Sequence, residues 1–199
     1  MDSSESSLMS QLIVIIILTL INAFFAAAEI AFVSINKSKM NQHAADGDKK
    51  AKRVLYLLDN ADDFLATIQV AITFAGFLSS AQAATSFTLV FADYLPDFSG
   101  ANTVATVIVT LILSYFTLVF GELFPKQIAL QMPETIAMST SGIIVFVQQL
   151  FRPFIWLLSA STGILQKITP IDFTASEEKF TREEMRVIIE QSRESDSFD

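Results

Sequence analysis

The sequence predicts an all-α membrane protein: three transmembrane helices followed by a bent juxtamembrane or re-entrant helical element. Three observations carry this. Of 199 residues 52% are hydrophobic and 17% charged, with 18 Phe and a mean hydropathy of +0.49, where a soluble domain of this size holds roughly a quarter charged residues. The charges are segregated, with none from Phe64 to Ala92 and none from Ala101 to Gly121. Each run reaches the roughly 20 apolar residues that a span needs. Buried helices of soluble proteins do not usually run so long.

The amino terminus, "MDSSESSLMSQ", is acidic and polar, without the basic region or small-residue cleavage site of a secretory signal. The first apolar stretch, about Leu8–Val33, is therefore expected to remain as a span. A loop holding Lys37, Lys39, Lys49, Lys50, Lys52 and Arg53 follows, and the positive-inside tendency makes it cytoplasmic with the amino terminus outside. The second stretch covers Phe64–Ala92. The next loop, "DYLPDFSG", has two Asp and no Lys or Arg, as expected outside. The third stretch, Ala101–Phe120, returns the chain to the cytoplasm at Lys126. The fourth, Thr135–Gln166, is cut by Arg152–Pro153. An arginine at mid-bilayer is costly, and proline removes a backbone donor at the same point. A bent element fits better than a fourth crossing, which is the alternative. Residues 1–170 form the expected transmembrane domain. Residues 171–199 open a cytoplasmic helical region, with Thr181 and Glu184 spaced as a capping box before an amphipathic helix over 182–194.

Several function classes are excluded or disfavoured. The net charge of −8 leaves no basic face for nucleic acid once the loops are assigned. Zero cysteines remove disulfides, thiolate metal sites and cysteine nucleophiles. The single histidine, His43, lies in the basic loop, and no GxSxG, HExxH or Walker pattern occurs. An enzyme is therefore not expected. A membrane scaffold or receptor would account for small-residue stripes but not for Glu29, Glu122 and Pro125 together.

The polar residues inside the spans are patterned. Gln69, Thr73, Gly76 and Ser80 lie on one face of the second helix, and Thr110, Ser114, Thr117 and Gly121 repeat the spacing in the third. The first carries Ala23, Ala27, Ala31 and Ser34 on one face, and Asn22 and Glu29 on another. Such stripes also serve plain helix packing. At the end of the third run, "GELFPKQIAL" places an acid and a helix breaker together. Pro125 has no N–H for the Gly121 carbonyl four residues earlier, so that oxygen stands free beside the Glu122 carboxylate. Carbonyl, carboxylate and hydroxyls form an oxygen-only set of the kind hard cations such as Mg²⁺ prefer. Lys126 would sit at the interface or balance the acid when the site is empty. A proline-terminated helix end with an interfacial Glu–Lys pair fits the same spacing equally well.

"FFAAAEIAFVSIN" (24–36), "FLATIQVAITFAGFLSSA" (64–81) and "GELFPKQIAL" (121–130) resemble the signature segments of the HlyC/CorC family, the haemolysin-like relatives of the cyclin-M magnesium transporters. The resemblance covers roughly residues 8–170. It implies a homodimer in the bacterial inner membrane, with three spans and a juxtamembrane helix. It also implies Mg²⁺ export coupled to Na⁺ entry, and paired nucleotide-binding (CBS) modules after the membrane domain. The implied cation site uses Ser34, the hydroxyls of the second helix (Thr73, Ser79 and Ser80), and Gly121–Glu122 of the third. Two departures touch it: many relatives carry Asn where this chain has Ile72, and Gly where it has Ala71. Thr73, Ser79 or Ser80 would then take the missing ligand's place. A channel, or a carrier of Co²⁺ or Na⁺, is the close alternative.

Overall fold

The structure, a computed structural model, describes residues 3–92 and 100–169. It divides into two compact units, Met1–Ile155 and Trp156–Asp199. The expected capping box and the helix over 182–194 lie outside the described residues.

All eight α-helices among the described residues follow from local chemistry. Helix α1 (Ser3–Ser34) and helix α4 (Ala61–Ala92) are the long apolar runs. Between them the basic loop folds into two short helices, α2 (Lys37–Ala45) and α3 (Lys49–Asp59). Each begins at a side-chain cap: Asn36 accepts from the Lys39 N–H at 3.2 Å, and Asp48 accepts from the Lys50 N–H at 2.7 Å. These bonds satisfy amides that have no partner within the helix. Gly47, at φ 95°, makes the left-handed turn between the two.

Helix α5 (Ala101–Leu118) runs without a break through a π-turn (Val119–Leu123) into α6 (Phe124–Gln131). The third span is accordingly Ala101–Gln131, longer than the Ala101–Phe120 expected from hydropathy. Pro125 does not end it. The π-turn, in which the Phe124 N–H bonds back to the Val119 carbonyl, lies one residue before the proline and shifts the hydrogen-bond register there, so the helix continues past it. The other two candidate spans are Met9–Ser34 and Ala61–Gln82.

Helix α7 (Pro133–Leu150) and helix α8 (Arg152–Ile168) form the expected bent element, turning by 76° at a break. Pro153 is the second residue of α8, where a missing N–H costs no helical bond, and the Phe154 and Ile155 amides close on the Phe151 carbonyl at 2.9 Å. Arginine and proline thus mark a corner.

Helix α1 is the central element, packed on α4, the π-turn, α6 and α7, while α5 packs on α4 and α3 on α7. The core gathers where α2 and α3 meet the ends of the long helices. Met40, Ala51, Val54 and Leu57 are fully buried there, with Phe64, Ile68, Ala137 and Ile144. Phe32 and Phe64 stack at 4.6 Å between centroids. Lys39–Glu134 (2.8 Å) ties α2 to α7, and Lys37–Asp59 (2.8 Å) closes the α2–α3 pair. The spans behave differently, with Leu20, Leu111, Phe77 and Tyr115 exposed, as suits side chains facing lipid.

Candidate functional site

The hydroxyl stripes of α4 and α5 face one another across a cleft of about 380 Å³. Thr73, Gly76, Ser79 and Ser80 form one wall, Thr110, Ser114 and Thr117 the other, and Glu122 of the π-turn closes the end. Many hydroxyls elsewhere among the described residues bond back to carbonyls three or four residues earlier, as Thr19, Thr67, Thr106, Ser139, Thr140, Ser141, Ser161, Thr162 and Thr169 do, though Ser34, Ser38, Thr135 and Ser159 do not. Ser79, Ser80, Thr110, Ser114 and Thr117, by contrast, make no such bond. Thr73 accepts from the Gln69 amide at 3.3 Å, so Gln69 supports the stripe from the turn before. A backbone-bonded hydroxyl has used its proton. The cleft hydroxyls have not.

Beside the cleft, the π-turn presses against α1. Gly121 is buried, and its carbonyl accepts a hydrogen bond of 2.8 Å from Asn22 Nδ2. The oxygen that Pro125 leaves without a helical partner is therefore held by a side chain of another helix. Such a carbonyl has a second lone pair. Glycine is required here by close approach: a Cβ at Gly121 would lie 3.2 Å from Thr19 Cγ2 and 3.3 Å from Asn22 Nδ2.

Glu122 lines the cleft and also meets Lys126, whose Nζ lies 2.9 Å from Glu122 Oε1 and 3.1 Å from Glu29 Oε2 of α1. One ammonium thus bridges two carboxylates on different helices. The other oxygen of Glu122 makes no hydrogen bond among the described residues. No group of three or more His, Cys, Asp or Glu side chains is placed to hold a metal among the described residues, so a cation here would meet one or two carboxylates and neutral oxygens.

The structure therefore brings together Thr73, Gly76, Ser79, Ser80, Ser114, Thr117 and Glu122, and joins Asn22, Gly121, Glu122, Lys126 and Glu29 beside them. Ser34 is not among them. It is the exposed last residue of α1 and does not line the cleft. The small stripe of α1 likewise serves packing, with Ala31 fully buried in the core. Ile72 and Ala71 are partly buried against that core and do not line the cleft either. The link between Asn22 and Gly121 has no counterpart in the sequence pattern: spacing puts Asn22 with Glu29 on one face of the first helix and Gly121 in the polar stripe of the third, and gives no sign that one holds the other.

The cyclin M transmembrane N-terminal domain matches residues 12–199. The chain belongs to this family. Its cyclin M domain is 35% identical over 98% of the chain to a UPF0053 protein of Synechocystis, of which it covers 44%. It is 29% identical over 87% of the chain to the UPF0053 inner membrane protein YfjD of Escherichia coli, covering 38% of that protein. A third relative, named polyamine export protein, from Haemophilus influenzae, is 28% identical over 92% of the chain and covered over 43% of its length. The chain spans less than half the length of these curated relatives. As a cyclin M domain it is a membrane protein of an ion-transport family, which agrees with the resemblance drawn from the three sequence segments.

Proposed function

We propose that the chain is the membrane part of a cation exporter that moves Mg²⁺ out of the cytoplasm, coupled to Na⁺ entry. The observation that carries this is the cleft: six hydroxyls free of backbone bonds, those of Thr73, Ser79, Ser80, Thr110, Ser114 and Thr117, line it together with a single carboxylate, Glu122. Mg²⁺ keeps several waters and takes few protein carboxylates, and a cleft of about 380 Å³ leaves room for a partly hydrated ion held by Glu122 and the hydroxyls. The cyclin M match supports the ion-transport part of the reading. We further propose that the domain acts as a homodimer in the inner membrane with its amino terminus outside, and that CBS modules on the cytoplasmic side regulate it.

A second cargo has its own support. The Glu29–Glu122 pair already accepts a primary ammonium, that of Lys126, and one relative is named a polyamine export protein. An organic polycation could present the same group.

Proteoliposomes loaded with Mg²⁺, Co²⁺ or a polyamine, with and without an opposing Na⁺ gradient, test both cargoes. The expected result is Mg²⁺ efflux that the gradient accelerates and Glu122→Gln abolishes. Polyamine efflux without Mg²⁺ efflux would select the second cargo. Orientation is checked separately in this cysteine-free chain. An impermeant thiol reagent outside the cell should label Ser3→Cys and spare Asn41→Cys.

A further inference from the structure

We propose that Lys126 is a tethered counter-ion that competes with the transported cation for Glu122, and that Glu29 is the seat to which it withdraws when the cation arrives. The proposal rests on the cation-transport reading and assigns how that site is emptied. Lys126 Nζ touches a carboxylate on each side, Glu122 at 2.9 Å and Glu29 at 3.1 Å. Only Glu122 lines the cleft; Glu29 and Lys126 do not. The ammonium therefore reaches Glu122 from outside the cleft, while a cation reaches it from inside. Lysine suits this exchange because it carries a compact charge on a flexible four-carbon stem. Its side chain is 26% exposed, so it is not wedged in place.

The charges favour the same cycle. Two carboxylates and one ammonium leave the trio at net −1, enough to attract a cation. A divalent ion at Glu122 repels the ammonium, which keeps its pair with Glu29 and so stays neutralised. When the ion leaves, the ammonium returns to Glu122. Occupied and empty states then each leave Glu122 facing a positive charge, which lowers the cost of an unpaired acid at membrane depth and weakens the hold on the cargo enough for release.

The test is a double-mutant cycle on Mg²⁺ affinity, measured by calorimetry on the protein in nanodiscs. Lys126→Gln is expected to tighten Mg²⁺ binding on the order of tenfold while lowering the maximal rate of efflux, because the competitor for release is gone. Glu29→Gln is expected to weaken binding severalfold, because the ammonium then rests on Glu122 alone. In the Lys126→Gln background the Glu29 change should have little further effect, since Glu29 acts through the lysine. Additive effects of the two changes overturn the proposal in favour of simple background charge. A second measurement needs no variant: the rate of reductive methylation of Lys126 in the unaltered protein should change severalfold on adding Mg²⁺. An unchanged rate overturns the proposal even if the variants fail to fold. Failure of the unaltered protein to bind any Mg²⁺ instead removes the Mg²⁺ reading itself, and the exchange with it.

Discussion

The two ends of α1 live in different physical regimes. At its carboxyl end Phe32, Met40, Val54, Leu57, Phe64 and Ile144 are all within 3% of complete burial, as in the interior of a soluble protein. Further along the spans, α4 and α5 hold open a cleft walled with hydroxyls, and large apolar residues such as Phe77 and Leu111 are exposed. The packed end draws on the hydrophobic effect, because α2 and α3 bring apolar faces out of water. The spans cannot, because lipid is as apolar as their side chains. Cohesion there comes from close approach at glycine, from the Asn22–Gly121 bond and from the Glu29–Lys126–Glu122 bridge. One end therefore holds the helices in position, and the other leaves a cleft open between them.

Breaking the cleft end should produce the largest effect. Glu122→Gln keeps the volume and removes the charge, so cation efflux from proteoliposomes should fall to background with little change in thermal melting. Full transport by this variant would show that the cleft is not the pathway. The packed end should respond in the opposite way. Leu57→Ala opens a hole among fully buried residues and should cost about 2–5 kcal/mol of stability, read from the melt, while transport per folded molecule is retained.

The seam between the regions should show mixed behaviour. Asn22→Leu leaves the Gly121 carbonyl without its donor and should cost about 1–3 kcal/mol, together with weaker Mg²⁺ binding. Pro125→Ala restores an N–H that competes with Asn22 for the same carbonyl and lets the π-turn relax towards α-helix. The expected outcome is an unchanged melt with Mg²⁺ affinity reduced less than in Glu122→Gln and partly recovered at higher Mg²⁺. A markedly lower melting temperature with unchanged affinity would make Pro125 architectural. The smallest effect belongs to Ser114→Ala, which removes one neutral oxygen of several. About a threefold loss of affinity is expected, equivalent to about 0.6 kcal/mol.

The legible parts of the chain are those set by neighbours in sequence. The spans followed from uncharged runs, and the bent element from Arg152–Pro153. The polar faces of the second and third helices followed from spacing, and the structure does set them against each other. Ser34 illustrates the limit. Its place in the signature segment suggested a ligand, yet it stands exposed at the end of α1, because helix length and not motif decides where a terminal residue lies. Pro125 illustrates another limit. A proline can end a helix or follow a π-turn that carries the helix past it, and local sequence does not distinguish the two.

The sequence by itself determined that this is a helical membrane protein, which faces of its helices are polar, and that one carbonyl near Glu122 loses its helical partner. Those properties depend on composition, on periodicity and on the missing N–H of one proline, all of which act within a few residues. Only the tertiary structure decided that Asn22 holds that carbonyl, that Lys126 lies between Glu29 and Glu122, and that Ser79 joins the cleft while Ser34 does not. These contacts join residues as far as 99 positions apart, and such pairs are fixed by how the helices pack, which no local pattern encodes.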